Sequence, residues 1–340
     1  MINLKDLTYE ELENFIKSEG EPAFRSKQIF SWLYKGVESI DEMTNLSKSL
    51  REKLSGKSFV SAPEIRAKYL SVDGTVKYVW ELSDGELIES VVMEYKHGRS
   101  ICISTQAGCN MGCKFCASTV GGKRRDLTPG EIIDQIIFAQ KDLDIRISNV
   151  VMMGIGEPLD NYDNVIKFLK NVGHPDGLNI GYRHISLSTC GIVDKIIKLA
   201  DEKMPVTLSL SLHAPTDELR ESIMPINKKY NIAQVLDACR HYIEKTGRRV
   251  SFEYTLIHGK NDTVWHANKL ADLIRGMLCH VNLIPVNEAR ENMVRSRKAE
   301  VQKFTDTLTA RGINATVRRQ LGNDIKASCG QLVAKESEKK

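Results

Sequence analysis

Four cysteines fall within the segment "SICISTQAGCNMGCKFCAST", Ser100 to Thr119, although the 340-residue chain has only eight. Disulfides, zinc, an iron–sulfur cluster and core packing all use cysteine, and spacing separates these uses. Cys109, Cys113 and Cys116 stand as C-x3-C-x2-C, with Cys102 set apart. Three closely spaced thiolates can each take one iron of a [4Fe–4S] cube, which leaves the fourth iron without a protein ligand. Structural zinc is the main competitor, but it wants four ligands, usually as pairs of C-x2-C, and no second pair or nearby histidine completes this set. In a chain this long with no secretory signal, a disulfide scaffold is disfavoured and a tight cluster points to metal or catalysis. Cys190, Cys239 and Cys279 are scattered and read as core or surface thiols.

Other polar residues recur at the ends of short apolar runs. "LSTCG" and "SLHAP" place Ser188, Ser211 and His213 there, and "LIPVN" places Asn287. A lone histidine is more often structural, but several such groups aimed at one rim favour a site. "GIGEP", Gly154 to Pro158, reads by itself as a tight turn.

Those run ends belong to a repeated strand-then-helix pattern. "SICIST", "NVVMMG", "HISLST", "VTLSLSLHA", "VSFEYTLI" and "HVNLIPV" are β-rich runs, with amphipathic segments such as 128–143, 231–246 and 263–277 between them. Six βα units predict an α/β fold, a parallel sheet curled into a partial (βα)6 barrel, in which ligands bind at the loops after the strands. The cysteine loop directly follows the first strand. A final strand, "NATVRRQ", follows a 298–311 helix. Residues 1–60 read as a small N-terminal helical module, with Thr8 as a cap and a second helix ending near Gly36. Over 61–99, three alternating segments separated by "VDG" and "SDG" predict a β-meander. The barrel spans 100–333, and the polar tail 334–340 is expected to be disordered.

At 41% hydrophobic and 27% charged residues, the chain has the composition of a globular protein and not of a disordered one. The N-terminus lacks a secretory signal and no run approaches the roughly eighteen apolar residues of a membrane helix, so the expected location is cytoplasmic, with no membrane partner. A net charge of +4 does not by itself announce a nucleic-acid partner. Its distribution says more, since Lys123, Arg124 and Arg125 follow the cysteine loop and Arg290, Arg295, Arg297, Lys298, Arg318 and Arg319 load the C-terminal third.

C-x3-C-x2-C with an aromatic, Phe115, before its last cysteine resembles the signature of the radical S-adenosylmethionine (SAM) enzymes. There SAM chelates the open iron and is cleaved to methionine and a 5′-deoxyadenosyl radical; a turn such as "GIGEP" lets the backbone approach the methionine amine, and Glu157 can accept from it. "GNDIKASCGQL", Gly322 to Leu332, places Cys329 in a small-residue loop after the last strand. With Cys102, "MMGIGEPL", "SLHAP" and "INKKYNI", it makes nearly the whole chain resemble the RlmN/Cfr family of radical SAM RNA methyltransferases. The resemblance implies a [4Fe–4S] cluster on Cys109, Cys113 and Cys116, and two SAM molecules per turnover held by Gly156, Glu157, Ser188, Ser211, Leu212, His213 and Asn287. It implies Cys329 as methyl carrier, Cys102 as the thiol partner that forms a disulfide with it, and Glu89, in "LIESVV", as proton acceptor. The implied partners are 23S rRNA, a tRNA adenosine near the anticodon, an electron donor such as flavodoxin or ferredoxin, and a thiol reductant.

The family has two branches, which methylate C2 or C8 of the same rRNA adenosine. Pro158 and the longer N-terminal segment resemble the C2 branch, whereas "EARENMVRSRK" after Asn287 departs from its usual proline- and glycine-rich stretch and leaves substrate contacts there open. Two other functions compete. A radical SAM activase of a partner protein needs no distant cysteine pair, and an iron–sulfur RNA-binding module needs no SAM pocket.

Overall fold

The computed structural model describes residues 1–96, 98–287 and 293–332. The tail 334–340 and Arg290 lie outside the described residues, as does the first part of the departure after Asn287, residues 288–292. A ten-stranded sheet organises the rest, and its spatial order follows the chain without a swap. Its strands are β1 (Glu64–Leu70), β2 (Val76–Glu81), β3 (Leu87–Tyr95), β4 (Gly98–Cys102), β5 (Asn149–Met152), β6 (Ile185–Thr189), β7 (Thr207–Ser211), β8 (Val250–Leu256), β9 (Cys279–Pro285) and β10 (Ala315–Val317). Pairing is antiparallel from β1 to β4 and parallel from β4 to β10. The parallel half is the expected partial barrel, and β10 is its expected last strand.

Period-two alternation explains why this barrel can hold a ligand. Along β6 and β7, Leu187, Leu208 and Leu210 are fully buried in the core shared with the helices. Each such side chain contributes roughly 1.5–3 kcal/mol. Ser186, Ser188, Ser209 and Ser211 occupy the opposite, concave face, where the Ser186 and Ser209 hydroxyls lie 3.0 Å apart. A serine-lined interior leaves space and hydrogen-bonding groups where bulky branched side chains would otherwise fill a barrel.

The meander continues the barrel sheet. Gly74 and Gly85, at φ 84° and 83°, supply the left-handed residue that each hairpin turn needs. Val91 of β3 lies opposite Cys102 of β4, so the register ties the meander to the first barrel strand.

The N-terminal helices are α1 (Tyr9–Ser18), α2 (Phe24–Leu33) and α3 (Lys48–Ser55), and they pack beside α4 (Pro129–Leu143). A Thr8/Glu11 capping box opens α1, as the sequence predicts, and a Thr128/Glu131 box opens α4. Lys5 Nζ reaches Asp134 Oδ1 at 2.5 Å with both side chains buried. Burial pushes the Asp134 carboxyl up to about 6 against the pull of Lys5 and Ser61. Asp6 accepts from the Gly130 N–H at 2.9 Å, and a Cβ on Gly130 would lie 2.6 Å from the Asn3 amide. The helix expected over 263–277 is shorter, Val264–Leu273, because the chain turns at Gly276, φ 75°, to enter β9.

Candidate active site

The strand-end loops converge on one solvent-open cavity. Cys109, Cys113 and Cys116 line it together with Gly156, Glu157, Ser188, Ser211, His213, Asn287 and Cys329. Leu212 alone of the expected SAM-holding residues does not line it. Leu212 is fully buried and works through its backbone, donating to Glu253 O at 3.1 Å and accepting from Arg220 Nε at 3.2 Å.

Backbone pairing shapes the cysteine loop. Gln106–Gly108 pairs with Lys123–Asp126 at its base, and a Cβ on Gly108 would overlap the Gly122 carbonyl oxygen at 1.9 Å. Cys109 and Cys113 are 7% and 9% exposed. Burial pushes the Cys109 thiol up to about 12 and the Cys113 thiol further. Buried thiols on one wall are poor thiolates until a metal displaces their protons, and iron supplies that displacement. The neighbouring turn suits an amino-acid ligand. Gly156 has φ 110°, and a Cβ there would lie 2.6 Å from Gln106 Cβ, so bare backbone faces the cavity. On these grounds the residues fit a [4Fe–4S] cluster with SAM beside it.

Glu157 is buried, and its oxygens accept from the Cys190 and Leu159 N–H groups at 2.8 and 3.1 Å. The Thr189 hydroxyl and the Cys190 thiol also reach this carboxylate. Burial raises its pKa, offset by those hydrogen bonds. His213 sits at φ 59°, and its Nδ1 accepts from the Thr255 N–H at 2.9 Å, so the proton resides on Nε2. Burial, with Arg220 nearby, lowers its pKa to about 3. The ring is therefore neutral at working pH and serves as a donor and as an edge against Phe115, 4.7 Å away between ring centroids.

Cys329 is far from the cluster cysteines in sequence, and its loop is tied down from three directions. Asn287 Nδ2 donates to Cys329 O at 3.0 Å while Gln320 donates to Asn287 Oδ1 at 2.8 Å. Gly330 O accepts from the Ala117 N–H, and Leu332 O from the Ser118 hydroxyl, both at 2.8 Å, joining this loop to the cysteine loop. The β1–β2 turn supplies a latch: Asp73 accepts from the Gly322 N–H at 2.9 Å, and Asp324 accepts from Ser71 Oγ at 2.5 Å and the Val72 N–H at 3.1 Å. Burial opposes ionisation of Asp73, but hydrogen bonds from Thr75, Gly322 and Ser71 hold its carboxyl down at about 2. A depressed carboxylate loses its contribution only as pH falls through that value, so the latch persists at every working pH.

A second, smaller cavity adjoins the first and contains Cys102, with Cys329, Met153, Asn287 and Arg318 shared between the two. Cys102 is buried among Val91, Met93, Ile155, Leu321, Ala327 and Leu332, and burial pushes its thiol up to about 12. Cys102 is buried and Cys329 half-buried, and both are free cysteines. Glu89 lines neither cavity. It lies two residues before Val91 on the same face of β3, buried, with Lys77 Nζ 3.6 Å from Oε1.

Sequence reasoning passed over Glu253 and Arg220, and marked Arg318 only as part of the positive charge of the C-terminal third. Arg220 has no exposed surface; its guanidinium donates to Cys190 O at 2.6 Å, Ser211 O at 3.3 Å, Asn227 Oδ1 at 2.9 Å and Tyr230 O at 3.3 Å. It clamps the loops after β6 and β7 that carry Ser188, Ser211 and His213. The "INKKYNI" segment holds two of its partners, but no spacing rule marks an arginine as a clamp. Arg220→Met leaves several buried carbonyls unpaired, and we expect a loss of roughly 3 kcal/mol in urea unfolding. A change below about 1 kcal/mol would mean that those carbonyls find other partners.

A parallel partial barrel with three cysteines after its first strand defines a radical SAM enzyme. The model of the Radical SAM superfamily matches residues 103–271, and that of the "Ribosomal RNA large subunit methyltransferase N-terminal domain" matches residues 2–60. The chain is 55% identical to the "Probable dual-specificity RNA methyltransferase RlmN" of Clostridium novyi (strain NT) over 98% of both proteins. Its identity to the protein of the same name from Thermoanaerobacter sp. (strain X514) is 52%, again over 98% of both. Among solved structures, a radical SAM methyltransferase from Sphaerobacter thermophilus superposes with a TM-score of 0.94 at 42% identity, covering 98% of this chain and all of that one. The chain belongs to the RlmN family of radical SAM RNA methyltransferases, enzymes that use SAM and a [4Fe–4S] cluster.

Proposed function

We propose that this enzyme methylates C2 of one adenosine in 23S rRNA, and an adenosine near the anticodon of tRNA, through an S-methylcysteine at Cys329. One observation carries the reading: Cys329 lines both the cavity that holds the cluster cysteines and the SAM residues and the adjoining cavity that holds Cys102. A carrier sulfur has to reach both.

Cys109, Cys113 and Cys116 would hold a [4Fe–4S] cluster, which when bound would supply the electron for reductive cleavage of SAM to a radical. The chain's residues carry the remaining steps. Cys329 first takes a methyl group from SAM as a thiolate. Its sulfur later keeps the activated carbon, and the RNA bonded to that carbon, in the site. Glu89, whose Oε1 lies 3.6 Å from Lys77 Nζ, takes the ring proton. Cys102 attacks the Cys329 sulfur; the S–S bond forms, the S–C bond breaks, and the electron pair leaves with the methylated base. A thiol reductant reopens the disulfide, and a donor such as flavodoxin or ferredoxin returns the cluster electron.

The helical module 1–60 and the basic C-terminal third would hold folded RNA by its phosphates while one adenine is unstacked into the cavity. Among the described residues no helix is long and apolar enough to cross a membrane, and a cytoplasmic location suits an enzyme acting on rRNA and tRNA. Anaerobic incubation of reconstituted enzyme with SAM and 23S rRNA fragments, followed by nucleoside analysis, should give 2-methyladenosine. A product carrying its methyl at C8 would overturn the regiochemistry, and unmodified tRNA in a parallel reaction would remove the second substrate.

A further inference from the structure

The methyl-carrier role requires a thiolate at Cys329, yet the neighbouring walls are apolar, with Val91, Met93, Leu321 and Leu332 around the smaller cavity. A negative sulfur in such surroundings needs a cation. Among the described residues, Arg318 is the sole lysine or arginine lining both cavities. Its backbone N–H donates to Leu283 O at 2.8 Å, which fixes it just beyond the end of β10. Its Nη1 donates to Met153 Sδ at 3.4 Å, and Met153 is the residue whose backbone contacts the Cys102 thiol. The carboxylate that faces it, Glu253, is occupied by Asn282 Nδ2 at 2.7 Å and Ser251 Oγ at 3.0 Å. The guanidinium is thus half-buried, with one nitrogen on the Met153 thioether and with Glu253 and the two cavity cysteines as the acidic groups around it.

We infer that Arg318 is a positioning residue, the cation on the wall beside Cys329 that directs the methyl group of SAM to Cys329 and not to Cys102. The inference rests on the carrier reading above. In the step concerned, the thiol proton has gone to solvent and the Cys329 thiolate pair forms the new S–CH3 bond. The sulfonium S–CH3 bond breaks with its pair remaining on the departing S-adenosylhomocysteine, so one negative and one positive charge cancel. Arg318 stays protonated throughout. Methylation neutralises Cys329 and releases the guanidinium toward Cys102, whose thiolate is required next. The other charged or titratable groups that face Arg318 are Tyr95 on β3, Cys102 on β4, Glu253 on β8, its neighbour Arg319, and Arg183 and His184 at the start of β6. Of these, Tyr95 is raised by burial and Glu253 is already hydrogen-bonded, which leaves the two sulfurs as the groups whose charge changes with turnover.

The test uses anaerobically reconstituted wild-type enzyme, Arg318→Met, Arg318→Gln and Arg318→Lys, each checked for cluster absorbance. Two readouts are taken at pH 7 and pH 9.5: methyl uptake by Cys329 from SAM without RNA, and alkylation of Cys329 by iodoacetamide, both by peptide mass spectrometry. An opposite charge within a few ångströms favours an ionised group by about 10- to 1,000-fold, so both rates should fall at least about tenfold at pH 7 in the Met and Gln variants. They should recover at pH 9.5, above the range in which an ordinary thiol loses its proton, and Arg318→Lys should retain most of the pH 7 rate. Neutral variants equal to wild type at pH 7, or equally depressed at both pH values, would overturn the counter-ion role. If wild-type Cys329 gains no methyl at all, the carrier reading fails instead, and the alkylation arm still reports on Arg318.

Discussion

Cys102→Ala enzyme should accumulate as a stable covalent complex with RNA, joined through Cys329, and release almost no methylated product. The expectation follows from the division of the two sulfurs between adjoining cavities. Cys329 reaches the cluster and SAM residues, whereas Cys102 lines only the smaller cavity. Its loss leaves methyl uptake and addition to the base intact and removes the nucleophile that breaks the S–C bond. The competing reading is that Cys102 is simply a small buried hydrophobe among Val91, Met93 and Leu332. In that case the change costs about 1 to 2 kcal/mol of stability and turnover survives. Denaturing gels under reducing conditions separate the two, since free methylated RNA without a cross-linked band would refute the resolving role. Because burial raises the Cys102 thiol to about 12, release by wild-type enzyme should also quicken as pH rises from 7 to 9, the thiolate fraction growing about tenfold per unit.

Cys113→Ala should lose the brown cluster chromophore and all SAM cleavage. Each of three thiolates holds one iron, and the cavity offers no replacement. Cys190 and Cys329 also line the cavity, but Cys190 is buried with its thiol engaged with Glu157, and Cys329 stands on a separate loop held by Asn287. Cys190→Ala should therefore keep the cluster, as should Cys239→Ala and Cys279→Ala. Iron and sulfide analysis, with the visible spectrum, checks both statements. Full cluster occupancy in Cys113→Ala would defeat the ligand assignment.

The sequence by itself determined the local elements and the chemistry they could serve. Capping boxes at Thr8 and Thr128, the left-handed glycines of the two meander turns, and the leucine–serine alternation of β6 and β7 are short-range devices, readable because period and turn chemistry act over a few residues. C-x3-C-x2-C is equally local, and its position after the first strand was enough to suggest an open iron. Only the tertiary structure decided which distant groups meet. Cys329 joins the cluster loop through Asn287, Gly330 and the Asp73 and Asp324 latch. Arg220 clamps two strand-end loops, and Arg318 stands between the two cavities. None of these contacts has a spacing signature, because each is set by where the parallel sheet brings strand ends together. An arginine reads alike in sequence whether it is solvated or buried, and only burial with named partners turns it into a clamp or a counter-ion.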